Sequence, residues 1–266
     1  MAAPALTPSL LHADSSLPTL VVGPSLGTAS LQLWGSALPY LKNHFQVVAW
    51  DLPGHGASAP STEGFSMQDL AAGVLTLVDD LHTDGVISNG SKIYYAGVSI
   101  GGAIALQLAH DAPGRFSGLS VICSASKIGT PEAWNERAAL VAEAGTPTMV
   151  VGSAQRWFAP GFIEENPVVS TNLLHNLQDA DRFAYAHACG ALAGFDLREA
   201  LPKLSDPILA IAGAHDQVCP PADAEFIAEH VQRGDAAVVD KAAHLAPAED
   251  PETTAKLLVG FFASAK

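Results

Sequence analysis

The chain has 266 residues, a hydrophobic content of 48% and a formal net charge of −14 from 27 acidic and 13 basic residues. This length and apolar content suffice for one domain with a full core. The basic residues form no cluster, which argues against a nucleic-acid partner. The three cysteines lack C-x-x-C spacing, and neither a leader peptide nor a membrane-spanning apolar stretch is evident. The sequence therefore predicts a reduced, soluble, cytoplasmic protein with no membrane partner.

The first third of the chain alternates between strand and helix patterns. Short apolar runs predict an edge strand and two buried strands, at residues 9–12, 20–22 and 45–50. A helix is predicted over 28–41, and another over 66–82, where apolar residues recur at helical spacing and Ser66 is a plausible N-cap. This alternation predicts a sheet covered by helices.

The pattern Gly97-x-Ser99-x-Gly101 lies between a strand predicted over 91–95 and a helix predicted over 103–110. A serine on so sharp a turn is held in strained backbone geometry, and side chains two positions away on either side would collide. Glycine removes that collision, and the turn places the Ser99 hydroxyl at the positive end of the helix. In this context the pattern predicts a nucleophile elbow rather than a structural Gly/Ser turn.

The pattern changes after a strand predicted at 119–123. Residues 126–192 read as successive helices rich in aromatic side chains and arginine, without strand alternation. Such an insertion predicts a lid over a pocket, between strands six and seven of a doubly wound, mostly parallel sheet. Strand and helix patterns then resume, at 207–212, 222–231, 236–239 and 251–265. The predicted organisation is a single domain with its core in 1–125 and 193–266 and a lid in 126–192.

Ser99, Asp216 and His244 each follow a predicted strand by a few residues, in the order Ser, Asp, His. The carboxyl ends of parallel strands meet at one edge of a sheet, so these side chains are expected to converge. A hydroxyl is a weak nucleophile; an imidazole must take its proton, and a buried carboxylate must hold the imidazole. The sequence therefore predicts a Ser-His-Asp catalytic site, with Asp240, on the loop of His244, as the rival acid.

Two backbone N–H groups are predicted to hold an oxyanion, those of Leu26 and Ile100. Leu26 lies in the glycine-containing loop after the second strand, and Ile100 follows the nucleophile. His55 and Asp51, in the loop over 51–58, are interpreted as loop-fixing residues rather than catalytic ones. No His, Cys or Asp cluster has metal-ligand spacing, so neither a metal nor a cofactor is predicted.

The elbow, the Asp-x-x-Gly-His-Gly loop and the Ser, Asp, His order resemble the α/β-hydrolase superfamily. A narrower resemblance is to 3-oxoadipate enol-lactonases, and it covers nearly the whole chain. It rests on residues 25–28, 127–137, 156–158 and 242–245. The stretch 127–137 is the most specific, because it lies in the predicted lid. The sequence departs from the family pattern at Gly23-Pro24 and at Ile100.

This resemblance implies hydrolysis of a small anionic enol-lactone to 3-oxoadipate, in the β-ketoadipate pathway of aromatic compound catabolism. It implies substrate contacts from Ser25, Trp134, Arg156 and Trp157. Arg156 foremost, Arg137 and Lys127 are candidates to bind the substrate carboxylate, with ordinary surface roles as the alternative. A general carboxylesterase, another lactonase of the same fold and a non-catalytic hydrolase-like receptor remain alternatives, and no oligomeric state is predicted.

Overall fold

The structure is a computed structural model that describes residues 3 to 265. Within that range the chain forms seven strands: β1 (Pro8–His12), β2 (Thr19–Gly23), β3 (Gln46–Trp50), β4 (Ile93–Val98), β5 (Gly118–Ile122), β6 (Ile208–Gly213) and β7 (Gly234–Val239). They make one sheet in the order β1-β3-β2-β4-β5-β6-β7. β1 runs antiparallel to β3, and the other neighbouring pairs are parallel. The predicted mostly parallel sheet, with its short edge strand, is confirmed.

The helices of the described chain fall into three groups in chain order. The first group is α1 (Ser30–Trp34), α2 (Leu38–Leu41), α3 (Met67–Thr83) and α4 (Ile100–Asp111). The second is α5 (Pro131–Ala144), α6 (Val150–Trp157), α7 (Phe162–Glu165), α8 (Pro167–Asp179) and α9 (Arg182–Ala193). The third is α10 (Pro221–His230), α11 (Ala246–Glu249) and α12 (Pro251–Ser264).

Two predicted elements differ in detail from the structure. The single helix predicted over 28–41 is two short helices, α1 and α2, because Gly35 caps the first and Pro39 opens the second. The second group of helices, here called the helical insertion (α5 to α9), lies between the fifth and sixth strands of the described chain, not the sixth and seventh. The insertion follows the fifth strand rather than the sixth because β1 is the single strand that precedes β2 in the described chain.

The helix α3 shows how the local sequence positions an element. The Ser66 hydroxyl accepts the backbone N–H of Asp69, and the Asp69 carboxylate accepts the N–H of Ser66 at 2.8 Å. This capping box satisfies two N–H groups that a helix start leaves open, as predicted for Ser66. The apolar face of the helix is buried, through Leu70, Val74, Leu77, Val78 and Leu81.

The three cysteines, Cys123, Cys189 and Cys219, are buried free thiols. Burial raises the pKa of Cys189 to about 12, so its thiol stays protonated at neutral pH. Over residues 3 to 265, no helix combines the length and the hydropathy that crossing a bilayer requires.

Candidate active site

Ser99 occupies a strained turn between β4 and α4. Its φ is 55° and its ψ is −114°, a conformation that a residue with a side chain rarely adopts. The Ser99 N–H donates to the Ile122 carbonyl at 2.9 Å, and the Ser124 hydroxyl donates to the Ser99 carbonyl at 2.6 Å. Neighbouring elements therefore impose the strain on Ser99, which is typical of functional sites.

The glycines on either side of Ser99 are required by close backbone contacts. A Cβ atom on Gly97 would lie 2.1 Å from the Gly101 carbonyl oxygen, and one on Gly101 would lie 2.5 Å from the Pro24 carbonyl oxygen. Neither oxygen belongs to a flexible side chain that could move away. The predicted collision across the turn is thus confirmed for Gly97, whereas Gly101 is required by the loop after β2.

The substitution Gly97→Ala is expected to destabilise the fold by about 3 kcal/mol, the upper end of the cost of overpacking, because the new methyl group meets fixed backbone. Chemical denaturation measures the change. Gly260→Ala is the matched control: Gly260 lies in α12 with open space around it, so alanine there should stabilise the fold by about 0.5–1 kcal/mol. Equal effects of the two substitutions would contradict the steric argument.

Asp216 and His244 form a buried, directed pair. His244 Nδ1 lies 2.8 Å from Asp216 Oδ2, and the two side chains are 3% and 0% exposed. Asp216 Oδ1 accepts the N–H groups of Val218 at 2.8 Å and Cys219 at 3.1 Å. A carboxylate only accepts, so Nδ1 carries the proton and Nε2 is left as a base. The rival acid, Asp240, is exposed.

The loop after β2 is closed by its own hydrogen bonds. The Ser25 N–H donates to Thr28 Oγ1, and the Thr28 N–H donates to the Ser25 carbonyl, both at 3.1 Å. Ile100 is the first residue of α4, where backbone N–H groups lack helical partners. Within the described chain, neither the Leu26 nor the Ile100 N–H donates a hydrogen bond. Both donors predicted for the oxyanion are therefore available to a ligand.

Ser99 and His244 line one cavity of about 240 Å³ between the sheet and the helical insertion. The four residues predicted as substrate contacts, Ser25, Trp134, Arg156 and Trp157, all lie in its wall, as does Leu26. The remaining wall residues are Ile128, Gly129, Ala133, Arg137, Ser153, Tyr185, Gln217 and Val218. Among residues 3 to 265, no group of His, Cys, Asp and Glu side chains is arranged to hold a metal ion.

Two arginines of the helical insertion give this cavity local positive charge. The Arg137 guanidinium stacks over the Trp134 ring, 4.7 Å from its centroid. Partial burial and then the charge of Arg137 lower the pKa of Arg156 from its usual range. Among the described residues, no carboxylate is within ion-pairing distance of either guanidinium. Lys127, in contrast, pairs with Asp196 at 3.3 Å and is absent from the cavity wall.

The loop-fixing interpretation of Asp51 and His55 agrees with their contacts. The Asp51 carboxylate accepts the N–H groups of Ser30 at 2.7 Å and Ala57 at 3.0 Å. His55 Nδ1 lies 2.9 Å from the Pro53 carbonyl, and the ring stacks on Tyr185 of the cavity wall. Burial lowers the pKa of His55, which keeps the imidazole neutral beneath Tyr185.

Comparison with known proteins agrees with this geometry. A profile of the alpha/beta hydrolase family matches residues 20–257. The chain belongs to the alpha/beta hydrolase family. It is 36% identical to 3-oxoadipate enol-lactonase 2 of Acinetobacter baylyi, over 88% of this chain and 85% of that protein. It is 35% identical to 3-oxoadipate enol-lactonase 1 of the same organism, over 96% and 92%.

A solved structure extends the likeness to three dimensions. The enol-lactonase from Burkholderia xenovorans LB400 superposes with a TM-score of 0.89, at 28% identity, over 97% of this chain and 96% of that one. The predicted fold and the resemblance to enol-lactonases are confirmed, and the protein is a hydrolase.

Proposed function

We propose that this hydrolase opens the ring of 3-oxoadipate enol-lactone to give 3-oxoadipate, in a cytoplasmic β-ketoadipate pathway of aromatic compound catabolism. The observation that carries the proposal is the pair of arginines without carboxylate partners, Arg137 and Arg156, in the same cavity as Ser99 and His244. An anionic substrate is repelled by a chain of charge −14 unless local positive charge receives it. The names of the relatives supply the identity of the lactone.

In the proposed acylation step, the Ser99 hydroxyl attacks the lactone carbonyl while His244 Nε2 takes its proton. The Leu26 and Ile100 N–H groups bind the oxyanion of the tetrahedral intermediate. Collapse of the intermediate breaks the ring C–O bond, and the His244 imidazolium gives its proton to the leaving oxygen, which departs as an enol. The enol then relaxes to the ketone, which makes ring opening favourable.

In the proposed deacylation step, a water molecule takes the place that the ring oxygen occupied. His244 removes a proton from the water, and the resulting hydroxide attacks the acyl carbon. The Ser99–acyl bond breaks, and the imidazolium returns its proton to Ser99. Asp216 stabilises the imidazolium in both steps through its bond to Nδ1.

Arg156→Gln and Arg137→Gln are each expected to lower kcat/KM for the anionic lactone roughly 10- to 100-fold, because a hydrogen bond to a charged group contributes about 1.5–3 kcal/mol. A neutral aryl ester should lose little, since it has no carboxylate. The readout is the ratio of kcat/KM for the two substrates. Arg182→Gln is the matched control, because exposed Arg182 of the insertion lies over Phe183 and outside the cavity wall. Equal losses for both substrates would contradict a carboxylate-binding role.

The proposed function is tested by following the ultraviolet absorbance of the enol-lactone, beside the hydrolysis of a short aryl ester. Rapid lactone turnover with slow ester turnover is the expected result. Ester turnover without lactone turnover would leave a Ser-His-Asp hydrolase of another substrate. No turnover of either would favour a ligand receptor with a hydrolase fold.

A further inference from the structure

Glu249, the last residue of α11, joins two parts of the chain that flank the site. Its Oε1 accepts the Ala159 N–H at 2.6 Å, in the segment that follows α6 of the helical insertion. Its Oε2 accepts the N–H groups of Ala243 at 2.9 Å and Leu245 at 3.0 Å. Ala243 and Leu245 are the residues on either side of His244. One carboxylate therefore spans the histidine loop and the insertion.

A second contact ties the same two segments together. The His244 N–H donates to the carbonyl of Trp157 at 3.1 Å, and the Trp157 side chain lines the cavity. The N–H groups of three consecutive residues, 243 to 245, are thus held by Glu249 or by the insertion. Groups outside the histidine loop therefore fix the backbone position of His244.

We propose that Glu249 is a positioning residue for His244: its carboxylate fixes the backbone of the histidine loop relative to Ser99 and ties that loop to the segment 157–159 of the insertion. The inference rests on the proposed roles of Ser99 and His244, but not on the identity of the substrate. In this proposal the helical insertion helps to assemble the reactive site and also covers the cavity.

The chemistry of the three partners explains why a carboxylate stands there. All three are N–H donors, and they use both oxygens of Glu249. A glutamine amide or a protonated carboxyl would turn a hydrogen-bearing atom towards one of these donors and lose that bond. Only the ionised carboxylate accepts on both sides.

The ionised form is costly at this place, which points to function. Burial raises the pKa of Glu249 from 4.5 to about 7, against the opposing effects of its three N–H partners and of His244. The charge of Glu249 also acts on the buried thiol of Cys123, and residues 157–159 of the insertion have no titratable side chain. Because the folded chain binds the proton more tightly than the unfolded one, ionisation of Glu249 lowers the free energy of unfolding as the pH rises from about 4.5 to about 7.

The test measures the phosphorylation of Ser99 by diethyl p-nitrophenyl phosphate. In this reaction the serine oxygen bonds to phosphorus, p-nitrophenolate leaves, and His244 takes the hydroxyl proton. Mass spectrometry of the intact protein follows the reaction. Glu249→Gln is expected to lower the maximal labelling rate roughly 10- to 100-fold, as a small displacement of a catalytic group does, with little change in the half-saturating reagent concentration. Glu252→Gln is the matched control, because exposed Glu252 pairs with Lys256 at the start of α12.

The pH dependence separates positioning from a merely structural role. In the wild type, ionisation of Glu249 should raise the labelling rate roughly 10- to 100-fold on top of the pH dependence of the base, so the logarithm of the rate should rise with a slope steeper than one over the one to two pH units below the pKa of Glu249, about 7. In Glu249→Gln that slope should fall to one. Glu249→Asp, which keeps the charge but is one methylene shorter, should be slow and keep the steeper slope.

Three results would overturn the inference. They are a wild-type rate in Glu249→Gln, a reduced rate with an unchanged slope, and a wild type that the reagent does not label at Ser99. Failure of the proposed function looks different: Ser99 is labelled and Glu249→Gln slows the labelling, yet the enol-lactone is not hydrolysed.

Discussion

Ser99→Ala is expected to lower kcat on the enol-lactone by about 10⁴- to 10⁶-fold, the range found when an activated serine nucleophile is removed. Alanine retains the turn but has no oxygen to form the acyl-enzyme. The Leu26 and Ile100 N–H groups remain, so a small residual rate from binding and oxyanion stabilisation is expected. The measurement is steady-state turnover at saturating substrate, with the melting temperature recorded in parallel.

Ser120→Ala is the matched control for this experiment. Ser120 is a buried serine on β5, opposite Ala96 of β4, and its hydroxyl donates to the Leu209 carbonyl at 3.1 Å. Its removal should cost about 1 kcal/mol of stability for the lost hydrogen bond and leave kcat within about twofold of the wild type. Turnover by Ser99→Ala at a rate near that of Ser120→Ala would rule out the proposed nucleophile.

Asp216→Asn is expected to lower kcat by about 10⁴-fold through the tautomer of His244. The structure fixes which way the amide must turn. The Asp216 Oδ1 position accepts two backbone N–H groups, so the asparagine oxygen is held there and its NH₂ group faces His244 Nδ1. Nδ1 must then accept, which moves the ring proton to Nε2 and removes the base that Ser99 needs.

Asp240→Asn supplies the control, since it makes the same chemical change at the exposed rival carboxylate. It should retain wild-type kcat. The nitrogen NMR chemical shifts of the His244 ring report which nitrogen carries the proton. The protonated nitrogen should change from Nδ1 to Nε2 in Asp216→Asn and remain Nδ1 in Asp240→Asn. A large loss in Asp240→Asn with none in Asp216→Asn would reverse the assignment of the acid.

The sequence predicts this site well where short-range backbone geometry dictates residue types. The elbow needs glycine at 97 whatever the rest of the fold does, because its conflict with Gly101 lies within five residues, whereas Gly101 is required by the Pro24 carbonyl of the loop after β2. Ser99, Asp216 and His244 follow β4, β6 and β7, and their convergence is expected because parallel strands present their carboxyl ends at one edge of the sheet. The helix predicted over 28–41 overlooks the break between α1 and α2, although Gly35 and Pro39 mark it.

Where several residues of the same chemical type could fill one role in the site, the folded structure distinguishes between them. Asp216 and Asp240 are both aspartates that precede His244, and burial of the first against the imidazole decides between them. Lys127, Arg137 and Arg156 are all cations of the same segment. Pairing of Lys127 with Asp196 leaves the two arginines for the cavity.

The sequence by itself determined the α/β alternation, the need for glycine at 97 and the residue types of the site, because strand periodicity and the collision across a tight turn are properties of neighbouring residues. The tertiary structure alone decided which carboxylate holds His244, which cations face the cavity, and that Glu249 joins the histidine loop to the insertion. Ala159 and Glu249 are 90 residues apart in the chain. A contact over that separation is set by how the insertion packs against the rest of the chain, and no local pattern encodes it.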